Sequence, residues 1–428
     1  MPPTLNRSGS NAVAPVLMTL VLSFQGLPAP FGVSSLAVAT MIATMPIVVA
    51  LAIVAKRNGG EARFVRHNTV LMAVFVFFAV VAEWNGGLAY PSYLISIGIH
   101  QCFFAACLLA SGAEGVWRAY KAAALINVAF VTLQMIGGLI GSSDLVRLSF
   151  LGVMKGSIEY WLSLPRASGL MTEPAHLSYL LLPPLLVTLL AGREAPQEMR
   201  SGRLAMLASY VLTLSLVAYV QLGIALVIGS IRQRSFKTLA VSCVAIAALG
   251  SAYVSIPFAS DRINGVLALA EGDATDQSSV FAIQSNALVT ATSLGEAPLL
   301  GLGITSHRQS YERIIEFLFD FPIDDAWLGL NKDDAGSLVL LLLSEGGVAG
   351  LALFVGFVGY AVIRISRMRG AVAIIGLAHA LTLAVVGLRY GQWASVHIML
   401  NLQVVLFCLA SAGPTVRPAR RAAKAVSS

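Results

Sequence analysis

Apolar residues run through this chain in long blocks broken by short polar stretches, without the strict alternation that marks a half-buried strand. About 20 apolar residues in a helix match the hydrocarbon core of a bilayer. The blocks predict spans over 12–28, 33–55, 69–84, 91–112, 122–141, 177–191, 204–216, 217–231, 238–258, 336–363, 371–388 and 394–412. Two of these places depart from the simple pattern. Residues 204–231 lie between basic connections that must share one side, and two helices of about 14 residues are too short to cross. They predict a pair that turns inside the protein or forms a re-entrant hairpin near Ser215 to Tyr219. The stretch 336–363 is too long for one upright helix and carries Glu345-Gly346-Gly347 in its first half, which predicts a break there.

Composition sharpens the class. Only 11% of residues are charged and 57% are hydrophobic, with a formal net charge of +7. A chain this apolar is not a soluble domain. Alternating ten-residue segments of a membrane barrel are absent, so the expected fold is all-α, a polytopic bundle of about 12 transmembrane helices. Most Lys and Arg residues, among them Lys56, Arg57, Arg203, Arg364 and Arg367, fall in alternate short connections. The excess of Lys and Arg on cytoplasmic loops puts these connections and both termini inside the cell. The positive charge is thus a topology signal, and no nucleic-acid partner is expected. Acidic residues gather on the other face, in two substantial periplasmic loops of about 142–176 and 259–335; the second holds an amphipathic helix over 278–294. Residues 1–413 form one helical transmembrane domain including these loops, and 414–428 a basic cytoplasmic tail. The apolar run behind Arg7 reads as a signal anchor that stays on. Cys102, Cys107, Cys243 and Cys408 lie within apolar runs, without the spacing of a disulfide framework or a zinc site.

Chemistry concentrates between Arg166 and His176. Pro174 suits the first turn of a helix, so Glu173 falls at the N-cap and His176 in the first turn. The helix dipole there favours an ionised Glu173 and a neutral His176, the forms that accept a proton. Arg166 can hold a phosphate with its fork of donors; the alternative is a surface loop with an ordinary N-cap and a snorkelling arginine. Arg308, with His307 beside it, and Arg262 offer further phosphate contacts, or else a solvated loop residue and a span-end anchor. Glu345 lies at membrane depth, where an ionisable group is a functional hypothesis by default, unless it satisfies backbone groups at the break. The acidic pairs Asp324-Asp325 and Asp333-Asp334 and the nearby Glu271 and Asp273 read as solvated loop faces rather than cation ligands. His100, His379 and His397 read as hydrogen-bonded core residues. No metal or other cofactor is expected, and no phosphate-binding G-x-x-x-x-G-K-[ST] loop is present.

Three motifs stand in order on one predicted face: Arg166-x-Ser168-Gly169-Leu170-x-x-Glu173-Pro174, Ala297-Pro298-Leu299-Leu300-Gly301-Leu302-Gly303, and Glu345-Gly346-Gly347-Val348-Ala349-Gly350. Over residues 160–360 this arrangement resembles the O-antigen polymerase and O-antigen ligase superfamily. The resemblance implies a GT-C-like helical fold and a metal-independent, inverting glycosyltransferase of the bacterial inner membrane. It implies as substrates undecaprenyl-pyrophosphate-linked glycan donor and acceptor, and as partners the bilayer and a chain-length regulator and flippase of the same pathway. It gives Arg166, with Arg308 or Arg262, the pyrophosphate, and Glu173 or His176 the acceptor proton, with His307 and Glu345 in support. Two departures weigh against the ligase activity: Ser278 to Gln284 holds no arginine, and Asn331 to Ser337 no histidine. Repeat-unit polymerase is therefore the expectation, with ligase transferring glycan to lipid A core as the alternative. A secondary transporter is a second alternative, opposed by the position of the largest loop and by the lack of a half-to-half hydropathy repeat.

Overall fold

The computed structural model describes residues 12–28, 35–55, 60–87, 90–153, 158–161, 164–191, 196–233, 278–315 and 327–412, with isolated positions between 240 and 264. About 77% of these are helical, so the fold class is all-α. In chain order the helices are α1 Val13–Ser23, α2 Leu36–Val54, α3 Glu61–Trp84, α4 Pro91–Leu139, α5 Ser143–Arg147, α6 Pro174–Leu190, α7 Gln197–Arg200, α8 Arg203–Val211 and α9 Leu216–Gln233. They continue as α10 Ser278–Glu296, α11 Ser306–Ile314, α12 Leu338–Ser366, α13 Ala371–Val386 and α14 Val396–Ser411. Four, namely α2, α3, α4 and α12, are long and apolar enough to cross a membrane. Helices α1, α6, α13 and α14 are shorter and apolar. Most of the predicted ninth span, the loop from 265 to 277 and the basic tail lie outside the described residues.

The boundaries move for physical reasons. The predicted spans 91–112 and 122–141 are joined without a polar loop: α4 is interrupted only at Gly112, whose φ of 69° suits glycine. Residues 113–121 are helical because Val116, Trp117 and Tyr120 face the core while Arg118 stays exposed. Lys121, one of the charges that suggested a loop, donates to Ser201 Oγ at 2.7 Å and to the Glu198 carbonyl. Helix α3 starts eight residues before its predicted apolar block, with Glu61 in the first turn where the dipole favours an acid. The pair α8 and α9 turns at Leu212 to Ser215, slightly earlier than predicted; α8 has 9 residues, about 13.5 Å at 1.5 Å per residue, too short to cross.

Helix α6, which the Glu-Pro motif begins, is buried within the bundle. It packs against α4, α8, α9 and α13. Every residue from Leu177 to Thr188 is buried, as an all-round apolar helix must be. The loop before it is held by two buried amides of α4. Gln134 Oε1 accepts the N–H groups of Ser168 at 3.1 Å and Gly169 at 2.8 Å, while its Nε2 donates to Val146 O at 2.8 Å. Asn127 Oδ1 accepts Leu170 N–H at 2.9 Å. Gly169 is in the left-handed region, and a Cβ there would lie 2.7 Å from Asn127 Oδ1. Replacing Gln134 with leucine removes both of these buried bonds and should cost roughly 2–4 kcal/mol. Thermal unfolding in mild detergent measures this; an unchanged midpoint would show that the loop is held by other means.

The second and third motifs dock on each other backbone to backbone. Helix α12 breaks at Gly347, with φ 59° and ψ −162°. Into the break the loop before α11 sends the N–H groups of Leu302 to Ser344 O at 3.0 Å and Gly303 to Glu345 O at 2.8 Å. In return Val348 and Ala349 donate to Pro298 O and Leu299 O, each at 3.0 Å. The same loop is pinned to α3, with Ile304 N–H donating to Phe78 O at 3.1 Å. Such contact leaves no room for side chains: a Cβ on Gly301 would lie 2.5 Å from Gly347 N.

Candidate functional site

Of the described candidates for catalysis and phosphate binding, His176 is the one that lines a polar cavity, of about 220 Å³. The cavity lies where α6 and α14 begin, and it is also lined by His100, Thr172, Tyr390, Ser395 and His397. Two of the three imidazoles are anchored through Nδ1. His100 Nδ1–H donates to Ser96 O at 2.8 Å, and His176 Nδ1 lies 3.0 Å from Thr172 Oγ1. In the tautomer with Nδ1–H donating to the threonine, Nε2 of His176 is the acceptor. His397 is buried, and its Nδ1 has no hydrogen-bond partner among the described residues. The rings of His176, Tyr179, Tyr390 and His397 pack on one another, with His176 to Tyr390 at 5.6 Å and Tyr179 to His397 at 5.8 Å between centroids. Burial pushes the Tyr390 phenol well above its ordinary range, so it stays a proton donor.

Charge reaches the cluster from two turns that interlock. Leu338 N–H donates to Gly387 O at 2.8 Å, and Arg389 Nη1 donates to Gly336 O at 2.8 Å. A Cβ on Gly391 would lie 1.7 Å from Asp334 O, so this approach requires glycine. Asp334 is half-buried, and its carboxyl group interacts electrostatically with both Arg389 and His176. Burial raises its pKa, against the opposing pull of the Gly336 N–H and Arg389. The solvated face expected for Asp333-Asp334 therefore holds for Asp333, which pairs with Arg308, and is corrected for Asp334, which the 387–391 turn covers.

The remaining expected residues lie elsewhere. Glu173 occupies the N-cap position of α6, exposed and without a capping bond from its side chain. Arg166 is half-buried and ion-paired with Glu159, because the pairing of Tyr160 with Pro165 and Trp161 with Leu164 folds the chain back on itself. Its Nε also donates to Thr213 O at 3.4 Å, and Ala167 N–H to Leu212 O at 2.9 Å, which fastens the α8–α9 turn to the first motif. Arg308 is exposed, 3.2 Å from both Glu312 and Asp333. Arg262 lies outside the described residues. Glu345 is buried and accepts the backbone N–H groups of Thr305 and His307. It thus satisfies the exposed donors at the start of α11, the backbone role that the sequence left open beside a functional one.

His307 is fully buried between three elements. Its Nε2–H donates to Asn286 Oδ1 at 2.8 Å, and its Nδ1 lies 3.0 Å from Ser344 Oγ. Burial lowers its pKa to about 4. An unfolded histidine takes a proton near pH 6.5, so stability is fully present above that pH and falls as pH drops from about 6.5 to about 4. The loss should be on the order of 3 kcal/mol. Thermal unfolding across that range checks this, and a His307→Gln variant should show a flatter pH dependence.

Sequence reasoning missed Arg389 and Tyr390, and it read His100 and His397 as core residues and Asp334 as part of a solvated face. A usable signal was present: Arg389 is a cation between two apolar blocks, and Tyr390-Gly391-Gln392 follows it directly. Among the described residues no group of three or more His, Cys, Asp and Glu side chains has the arrangement of a metal site. No protein-family model matches the chain, and no curated protein matches it.

Proposed function

We propose that the chain is an integral membrane glycosyltransferase of the bacterial inner membrane that polymerises undecaprenyl-pyrophosphate-linked repeat units at the periplasmic face. Its product in this reading is O-antigen, capsule or exopolysaccharide. The observation that carries the reading is the cavity in which His176, two residues beyond the first motif, meets His397 and Tyr390, with Asp334 interacting with both His176 and Arg389. The interlocked second and third motifs add support, because they make one unit of segments that the resemblance pairs only by order.

In this reaction an acceptor hydroxyl oxygen bonds to the anomeric carbon of the donor, the bond from that carbon to the pyrophosphate oxygen breaks, and the hydroxyl proton passes to a base. His176 is the base through Nε2, oriented by Thr172. Glu173 stands three residues earlier on the same helix start. We assign the departing pyrophosphate to Arg389, since Asp334 interacts with both Arg389 and His176, whereas Arg166 and Arg308 pair with Glu159, Glu312 and Asp333. Arg166 then braces the loop that presents His176.

Deleting the gene and resolving the surface glycan and its lipid-linked precursors by gel and mass spectrometry tests the reading. Single repeat units without long chains are expected. Long chains that persist on undecaprenyl pyrophosphate without reaching lipid A would replace it with the ligase activity. An unchanged profile would overturn both in favour of transport.

A further inference from the structure

A second and larger cavity lies outside the polar site. It is a lateral groove of about 760 Å³ between α3, α12 and α14. Phe75, Phe78, Leu353, Phe354 and Phe357 line its length, and most of its wall is aliphatic or aromatic. Its two ends differ in charge. One end has Glu345 and Trp393; the other has Arg63, His67 and Arg364. The elements fix this polarity, since Arg63 and His67 begin α3 while Arg364 closes α12. By the distribution of basic residues the cationic end is the cytoplasmic one.

We propose that this groove binds one anionic diacyl phospholipid of the inner leaflet, with its acyl chains along the aromatic wall and its phosphate at Arg63, His67 and Arg364. Three observations carry the assignment. The lining residues of α12 run from Glu345 beside its break to Arg364, 19 positions or about 28 Å of helix, more than a chain in one leaflet needs. Among the described lining residues the cations stand at one end, and at the other end the one ionisable lining group is Glu345, an acceptor with no cation to meet a phosphate. His67 Nδ1 is shielded from solvent and has no hydrogen-bond partner among the described residues, as a donor awaiting a phosphate oxygen would be. Arg63 donates through Nη1 to Ala412 O at 3.1 Å, which leaves its other N–H groups to meet a phosphate and fixes the guanidinium at the groove mouth. The site is distinct from the polar cavity: Trp393 faces the groove while its neighbours Gln392, Ala394 and Ser395 line the cavity. The inference does not depend on the glycosyltransferase reading.

The test uses the full-length protein in mild detergent. Phosphatidylglycerol and phosphatidylcholine of the same acyl composition are titrated against it, with native mass spectrometry and thermal unfolding as readouts. Phosphatidylglycerol should bind one per chain and at least tenfold more tightly than phosphatidylcholine. The double variant Arg63→Gln, Arg364→Gln should lose that preference, whereas Arg63→Lys, Arg364→Lys should keep most of it. Leu353→Trp, which fills the groove from its side, should weaken both lipids. Equal affinity for the two lipids, or a preference unchanged in the Gln double variant, would overturn the proposal. So would displacement by undecaprenyl phosphate that is equally strong in the wild type and the Gln double variant, which would give the groove to a polyprenyl chain with its phosphate elsewhere.

Discussion

A His176→Ala variant should slow glycan chain growth by on the order of a hundred- to ten-thousand-fold, the usual contribution of a positioned base, while the protein remains in the membrane. The side chain lies at a cavity wall rather than in the packed core, with one hydrogen bond to Thr172 at 3.0 Å and a ring contact to Tyr390 at 5.6 Å. Its loss leaves α6 anchored through Leu177 and the residues that follow. The assay is incorporation of a lipid-linked donor by membranes holding equal amounts of each variant. Thr172→Val should reduce the rate less than His176→Ala, because it removes the orienting partner and leaves the base. Wild-type chain lengths from His176→Ala would remove His176 from the chemistry.

Gly303→Ala should destabilise the protein by on the order of 4 kcal/mol, enough to lose most of the folded material. Two costs add. Gly303 has φ +96°, and a Cβ there would lie 2.2 Å from Ala82 N and 2.3 Å from Ala82 Cα. Backbone cannot yield as a flexible side chain can, so the loop would lift off α3. It would then forfeit the bonds of Leu302 and Gly303 to the break in α12 and that of Ile304 to Phe78. Gly356→Ala, in open space on α12, is the control and should be neutral or stabilising by up to about 1 kcal/mol through helix propensity. Size-exclusion profiles and melting curves of the two variants in detergent decide the matter; equal curves would show that the loop is not docked on α3.

Much of the helical framework was legible because a block of apolar residues leaves a backbone one solution in lipid. Gly347 and the short α8–α9 pair were legible too, the first from glycines within a helix that is too long, the second from a length that cannot cross. The connection at 113–121 was misread because charge within a window looks the same whether it faces solvent, as at Arg118, or is tied down, as at Lys121. The second and third motifs were visible as motifs, but their mutual docking was not. Four backbone bonds between residues about 45 positions apart leave no trace in either segment.

The candidate site divides the same way. The sequence by itself determined a helix start at Pro174 with His176 in its first turn, because proline, N-cap and apolar run are local. It also determined that cations would be scarce, so that each one between apolar blocks invites a role. Only the tertiary structure decided which of them shares the Asp334 carboxyl group with His176. Arg166, nearest in sequence, is turned away by a two-residue strand pairing that hands it to Glu159, and Arg389, more than 200 positions away, is brought close by the interlocked turns at 334–338 and 387–391. The physical reason is that a side chain's partner is set by packing and burial between distant segments, whereas helix start and membrane depth are set by the few residues on either side.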